Sequence, residues 1–184
     1  MLLSSVIDSL NIGSGSLIQA IGVGMGYSNY PVYLFVLTSM PFFWTTWETY
    51  YTGVLYLGYI NGPTEGLLVA ITMLCMSGVY GVKIWWTPYT LAGHSFLLID
   101  GLLIGTLILS LTTQIPVSIY RVYVACKEKK LSFSSALNNV GAYYTMIALA
   151  YFWLTAPLSH AIQHHVVAVV ISLGIQFGLI TVIL

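Results

Sequence analysis

The sequence predicts an all-α integral membrane protein, a single domain over residues 1–184 with about six transmembrane helices. Charge is the first reason: 58% of the residues are hydrophobic and only 5% are charged. A soluble domain carries about a quarter charged residues, so this chain cannot cover a water-facing surface. Length is the second, because apolar runs of the roughly 20 residues needed to cross a hydrocarbon layer recur from end to end. Continuity is the third: the runs are too long and too unbroken for the alternating strands of a β-barrel. A formal net charge of zero removes the electrostatic basis for a nucleic-acid partner.

Taken in order, the expected spans are 5–27, 31–55, 64–86, 98–122, 138–157 and 161–184. Between them lie GMGYSNYP, YINGPT, TPYTLAGH, CKEKKLSFS and TAPLSH, each holding Gly, Pro, Asn, Ser or charge. Pro31 and Pro63 suit the first turn of a helix, where a missing N–H costs nothing. Pro116 lies inside the fourth span and predicts a kink. Gly13, Gly15, Gly22, Gly24 and Gly26 predict close approach of another helix to the first span, with Gly22 and Gly26 as a G-x-x-x-G pair. MLLSSVIDSLNIGSGS does not read as a convincing signal peptide, since it lacks a basic start and Asp8 interrupts it. Both ends read as cut from something larger. Cys75, within an apolar run, and Cys126, in a basic loop, predict free thiols rather than a disulfide.

Arg121, Lys127, Lys129 and Lys130 gather around 121–137, leaving Lys83 as the other basic residue. This excess places 121–137 in the cytosol. Alternation then puts 87–97 and 28–30 outside, and 56–63 and residue 5 on the cytosolic side. Asp8, Glu48 and Glu65 fall near cytosolic helix ends, with Asp100 at the opposite face.

An ionised carboxylate deep in a membrane helix costs about 2.5–3.5 kcal/mol on insertion scales. It persists when it faces a cavity, binds a cation or pairs; pairing with Arg121, or snorkelling to the headgroups, is the plainer account. Asp8, Asn11 and Gly15 share one helix face, and Trp44, Glu48, Tyr51 and Thr52 form a stripe on the second span. His160 and His164, four apart beside His165, have metal-ligand spacing, but no acidic or cysteine partner adjoins them. Trp85, Trp86, Tyr89 and Trp153 read as an interfacial belt, and Lys127–Lys130 as an orientation signal. No phosphate-binding glycine loop, nucleophile elbow or zinc signature is present.

The stretch W-E-x-Y-x-T-G-x-L-Y-L from Trp47, followed by N-G-P-T-E-G from Asn61, resembles the choline/ethanolamine phosphotransferases of the CDP-alcohol phosphotransferase family. I-D-S-L-N at 7–11 looks like the end of that family's signature, and HHVVAVVISLGIQFGL is similar to one of its late spans. The resemblance implies a multi-pass enzyme of the endoplasmic reticulum or Golgi. It would transfer phosphoethanolamine or phosphocholine from CDP-ethanolamine or CDP-choline to diacylglycerol, releasing CMP. It implies Mg²⁺ or Mn²⁺ as cofactor, bound in part by Asp8. Asp8 and Glu48 are the implied catalytic residues, and Asn11, Tyr51 and Glu65 the implied substrate-binding ones. The implied partners are the lipid bilayer and a second copy or a full-length paralogue.

The chain also departs from the pattern. Of the signature D-G-x-x-A-R, eight residues, G-x-x-x-D-x-x-x-D, only the last aspartate has a counterpart, Asp8. Ser4 stands where the preceding one would fall. Thr49 and Tyr51 occupy positions where other members carry an acid or a histidine. The expectation is therefore a truncated, inactive member. The alternatives are a non-catalytic membrane partner of a full-length phosphotransferase, or a small transporter whose acids line an ion path.

Overall fold

A computed structural model describes residues 2–55, 62–91, 94–155 and 165–183. The helices are α1 (Leu2–Gly22), α2 (Tyr30–Thr52), α3 (Gly62–Tyr80), the short α4 (Lys83–Trp86), α5 (Leu98–Leu109), α6 (Ile115–Glu128), α7 (Phe133–Thr155) and α8 (Val166–Ile183). A two-stranded antiparallel hairpin, β1 (Pro88–Leu91) and β2 (His94–Leu97), lies between α4 and α5, with Tyr89 opposite Phe96. The all-α class holds.

Among the described residues one helix is long and apolar enough to cross a membrane, Leu98–Glu128, which runs through α5 and α6. The other expected spans do not meet that test. Tyr, Trp and Thr dilute α2, Asn and Tyr dilute α7, and the apolar stretches of α3 and α8 are shorter. The third span, expected to reach residue 86, ends at Tyr80. Gly81 follows at φ 78°, in the left-handed region that glycine adopts without a Cβ clash, and its N–H caps Ser77 O at 2.9 Å.

Helix α2 occupies the centre. Its apolar and aromatic residues point to every side, so it buries Val32, Leu34, Phe35, Phe43, Trp44 and Trp47 against several neighbours at once. Phe43 stacks on Tyr143 of α7 with ring centroids 4.3 Å apart, and Tyr143 shares a 3.0 Å hydroxyl contact with Ser39. The Trp47 indole N–H donates to Ala136 O at 3.1 Å. That contact exists because α7 begins at Phe133, earlier than the expected 138.

Against α5 and α6, α2 runs parallel. Tyr30 meets Asp100, Thr45 meets Gln114, and Glu48 meets Ser118. Pro116 lies in the first turn of α6. Its missing N–H is accommodated by a π turn, Ser110–Gln114, in which the Ile115 N–H reaches back to Ser110 O. Thr112 and Thr113 hydroxyls donate to Ile108 O and Leu109 O at 2.8 and 2.7 Å, satisfying carbonyls beside this wider turn.

Close helix approach to α1 occurs as expected at Gly13, where a Cβ would lie 3.4 Å from the Gly174 backbone of α8, and at Gly22, where it would meet the Leu74 side chain of α3. Three further expectations are corrected. Gly24 and Gly26 instead lie in the turn after α1, at positive φ. Trp85 is buried, with its indole bonded to Ser77, and Trp86 donates to Val23 O. Both are packing residues rather than belt residues. The 121–137 loop contracts to 129–132, since α6 continues to Glu128 and buries Cys126. Both cysteines are free, as expected. His160 and His164 lie outside the described residues.

Candidate functional site

The carboxylate of Glu48 sits where the last turns of α2 meet α6. Glu48 is 3% exposed. One of its oxygens accepts from Arg121 Nη1 at 2.9 Å, and the other from the Ser118 hydroxyl at 2.7 Å. Ser118 and Arg121 are three apart on α6 and so share a face. Gln114, one turn earlier, donates to Thr45 at 3.1 Å and to Ser118 at 3.4 Å. These contacts form a polar ladder between two helices whose surroundings are apolar. A buried carboxylate is tolerable only when paired and hydrogen-bonded, and here both its oxygens are engaged.

The ladder opens onto a cavity of about 340 Å³, walled by Glu48, Thr52, Tyr120, Arg121, Glu128 and Lys129, with Val54, Val124 and Ala125 between them. Arg121 is 29% exposed in its side chain, so it links the buried acid to the open space. Gly53, at φ 78°, ends α2 and caps Thr49 O. Lys129 Nζ donates to Tyr51 O at 2.6 Å, placing a cation on the last carbonyls of α2, where the helix dipole favours it.

The residues expected from sequence divide. Glu48 is in the ladder. Tyr51 lies next to it but turns toward α7, where its hydroxyl accepts from Asn139 Nδ2 at 2.8 Å and its ring packs on Trp47 and Tyr50. Asp8 and Asn11 share the exposed face of α1, as their spacing requires, and neither lines the cavity. The backbone of Glu65 belongs to α3, but its side chain lies outside the described residues. Gln114, Ser118, Glu128 and Lys129 were missed as site residues. Gln114, Ser118 and Arg121 recur at helical spacing on one face of an apolar run, but that spacing does not say which neighbour the face meets.

No group of three or more His, Cys, Asp or Glu among the described residues is placed to hold a metal ion. With Glu48 engaged on both oxygens and Asp8 on another face, these residues do not assemble a site for Mg²⁺ or Mn²⁺, which needs several oxygen ligands.

Sequence comparison supplies relatives. The chain is 26% identical over 175 residues to the uncharacterized CDP-alcohol phosphatidyltransferase class-I family protein 3 of Dictyostelium discoideum, a match covering 84% of this chain and 44% of that protein. It is 37% identical over 84 residues to choline/ethanolaminephosphotransferase 1 of Saccharomyces cerevisiae, covering 45% of this chain and 21% of that protein. With choline/ethanolaminephosphotransferase 2 of Arabidopsis thaliana the identity is 25% over 155 residues, 79% of this chain and 40% of that protein. No family model and no solved structure matches the chain. The resemblance to the CDP-alcohol phosphotransferases thus extends over most of the chain. The chain spans about two fifths of the length of the curated relatives that it matches over most of its own length.

Proposed function

We propose that the chain forms part of a membrane-embedded CDP-alcohol phosphotransferase site in phospholipid synthesis. The reaction transfers phosphocholine or phosphoethanolamine from a CDP-alcohol to diacylglycerol. The acceptor hydroxyl oxygen bonds to the phosphorus that carries the alcohol, the bond from that phosphorus to CMP breaks with its electron pair leaving on the CMP phosphate oxygen, and the hydroxyl proton passes to water. The observation that supports this reading is the Glu48–Ser118–Arg121 ladder opening to a cavity, built on the W-E-x-Y-x-T stretch that carries the family resemblance.

In this reading Glu48 is a positioning residue. With both oxygens engaged, it holds the Arg121 guanidinium at the cavity edge, where a cation attracts phosphate oxygens. Thr52 and Tyr120 line the same space, with the Thr52 hydroxyl donating to Glu48 O at 2.8 Å. The exposed Leu and Ile of α1, α3, α5 and α8 face lipid in a multi-pass arrangement, in the endoplasmic reticulum or Golgi. The described residues do not fit a divalent cation, so no step is routed through one; Mg²⁺ or Mn²⁺ dependence would need ligands beyond them.

The test is reconstitution in liposomes with labelled CDP-choline or CDP-ethanolamine, diacylglycerol and Mn²⁺, with and without a full-length relative. The expected result is labelled phospholipid in excess of the relative alone, with Glu48→Gln removing the excess. Absence of product from the chain alone, together with no excess in the mixture, sinks the reading. The exposed apolar helix faces also suit a second reading, a non-catalytic partner; such a partner would change the relative's rate to the same extent with or without the Glu48→Gln substitution.

A further inference from the structure

The exposed side of α6 carries an ordered stripe that leads away from the Glu48 cavity. Along α6 up to Lys127 the exposed residues are Pro116, Val117, Tyr120, Tyr123 and Lys127, spaced so that they share one face. Ser118, Val122, Ala125 and Cys126, between them, are buried. From Val117 toward the end of the membrane-crossing segment, the exposed face runs apolar, phenol, phenol, cation. Ten residues, about 15 Å of helix, separate Val117 from Lys127, which matches half of a hydrocarbon core of about 30 Å. The Tyr123 ring meets Phe133 of α7 edge-on, with centroids 5.5 Å apart. Beyond Lys127 the helix closes with the Leu131 N–H on Cys126 O at 2.9 Å, and Lys130 stands at φ 56°. Glycine or asparagine is usual at such a position, so a lysine there is strained, and it adds a second exposed cation to the turn. Tyr120, Glu128 and Lys129 border the cavity, whereas Tyr123, Lys127 and Lys130 do not line it.

A phospholipid presents the matching order from bilayer centre to surface: acyl chain, ester and glycerol, phosphate. Exposed phenols suit the ester layer, which accommodates an apolar ring and a polar tip together. Two lysines suit a headgroup of net negative charge, since each basic residue beside an anionic surface adds to the attraction. The ammonium of a zwitterionic headgroup would instead face those same cations. The dipole of α6 also favours cations in its last turn, but it does not account for the tyrosines in line with them. We propose that the face formed by Val117, Tyr120, Tyr123 and Lys127, with Lys130 in the turn that follows, binds one anionic phospholipid of the adjoining leaflet. That lipid is a fixed neighbour of the helix and not a reactant. The proposal goes beyond the phosphotransferase reading: it needs a bilayer around α6 but no turnover.

The experiment places the photocrosslinker p-benzoylphenylalanine at Val117 of the full chain, in liposomes holding equal phosphatidylcholine, phosphatidylethanolamine and phosphatidylserine. Illumination joins the probe to neighbouring acyl C–H bonds, and mass spectrometry identifies the attached lipid. Phosphatidylserine is expected to exceed each zwitterionic lipid about fivefold at Val117, and the excess should shrink as salt is added. The same probe at Leu179, exposed on the lysine-free α8, should show no preference. Lys127→Gln combined with Lys130→Gln should abolish the preference at Val117; both lysines are exposed, so the chain should keep its unfolding temperature. Lys130→Gly, which relieves the left-handed φ, should reduce the preference without lowering the unfolding temperature, separating lost binding from lost fold. Equal capture of the three lipids at Val117, a preference just as strong at Leu179, or one untouched by the paired substitution would overturn the proposal. Crosslinks to a second copy of the chain in place of lipid would overturn it in favour of a protein interface. Capture of phosphatidylserine by a chain without transfer activity would leave this site standing and defeat the enzymatic reading; transfer without lipid preference would do the reverse.

Discussion

The two ends of α2 meet the same long helical segment with different chemistry. At its start, the Tyr30 hydroxyl donates to Asp100 of α5 at 2.8 Å, and the Tyr30 ring packs edge-on against Trp86 and Tyr33. Near its finish, Glu48 is held by Arg121 and Ser118 of α6 and adjoins a cavity. Eighteen residues, about 27 Å of helix, separate them. Each end places one acid in the contact between α2 and its parallel neighbour. At the first the acid belongs to α5 and is met by a neutral phenol in an aromatic cluster, which is a clamp. At the second the acid belongs to α2 and is met by a cation that reaches open space, which is the candidate site. A carboxylate in an apolar segment therefore does not mark function unaided; what separates the two is the charge of the partner and whether it can be reached.

Substitutions can break this contrast, beginning with the largest effect. Arg121→Ala leaves Glu48 buried without its cation and should destabilise by roughly 3–5 kcal/mol, read as thermal unfolding in micelles. Adding Glu48→Gln in the same chain should recover much of that loss, because the buried charge is gone. If the single and double variants unfold alike, the pair is not an energetic unit. Ser118→Ala removes a hydrogen bond to a charged group and should cost about 1.5–3 kcal/mol. At the other end, Tyr30→Phe removes a donor to the half-buried carboxylate of Asp100, which water can reach in its place, so the loss should fall to about 0.5–1.5 kcal/mol. A Tyr30→Phe loss larger than that of Ser118→Ala would reverse the ranking of clamp and site. Smallest is Lys129→Met, whose exposed contact with Tyr51 O should leave the unfolding temperature unchanged within error.

Glu48 was legible in the sequence because a carboxylate within an apolar run demands an explanation, and its motif carried the family resemblance. Asp8 stood out for the same reason, yet it lies on an exposed face of α1, away from the cavity. Spacing within one helix can say which residues share a face but not which neighbour that face meets. Ser118 and Gln114 escaped notice for a related reason. Uncharged polar residues commonly satisfy themselves on their own helix backbone, so their role appears only once α2 and α6 are known to run parallel. The helical class followed from composition, which sums over the whole chain. Helix limits did not: the stop at Gly81 depends on a single φ, the hairpin on pairing across its turn, and the π turn on how one proline is absorbed.

The separation of 73 residues between Glu48 and Arg121 also sets an order of events during synthesis. At about 5–20 residues per second, roughly 4–15 s pass between the making of the acid and the making of its cation. Trp47 waits longer for the carbonyl of Ala136, and Ser39 longer still for the hydroxyl of Tyr143. The central helix is thus made well before the partners that satisfy it. Until α6 emerges, the Glu48 carboxylate lacks both groups that hold it, the Arg121 guanidinium and the Ser118 hydroxyl.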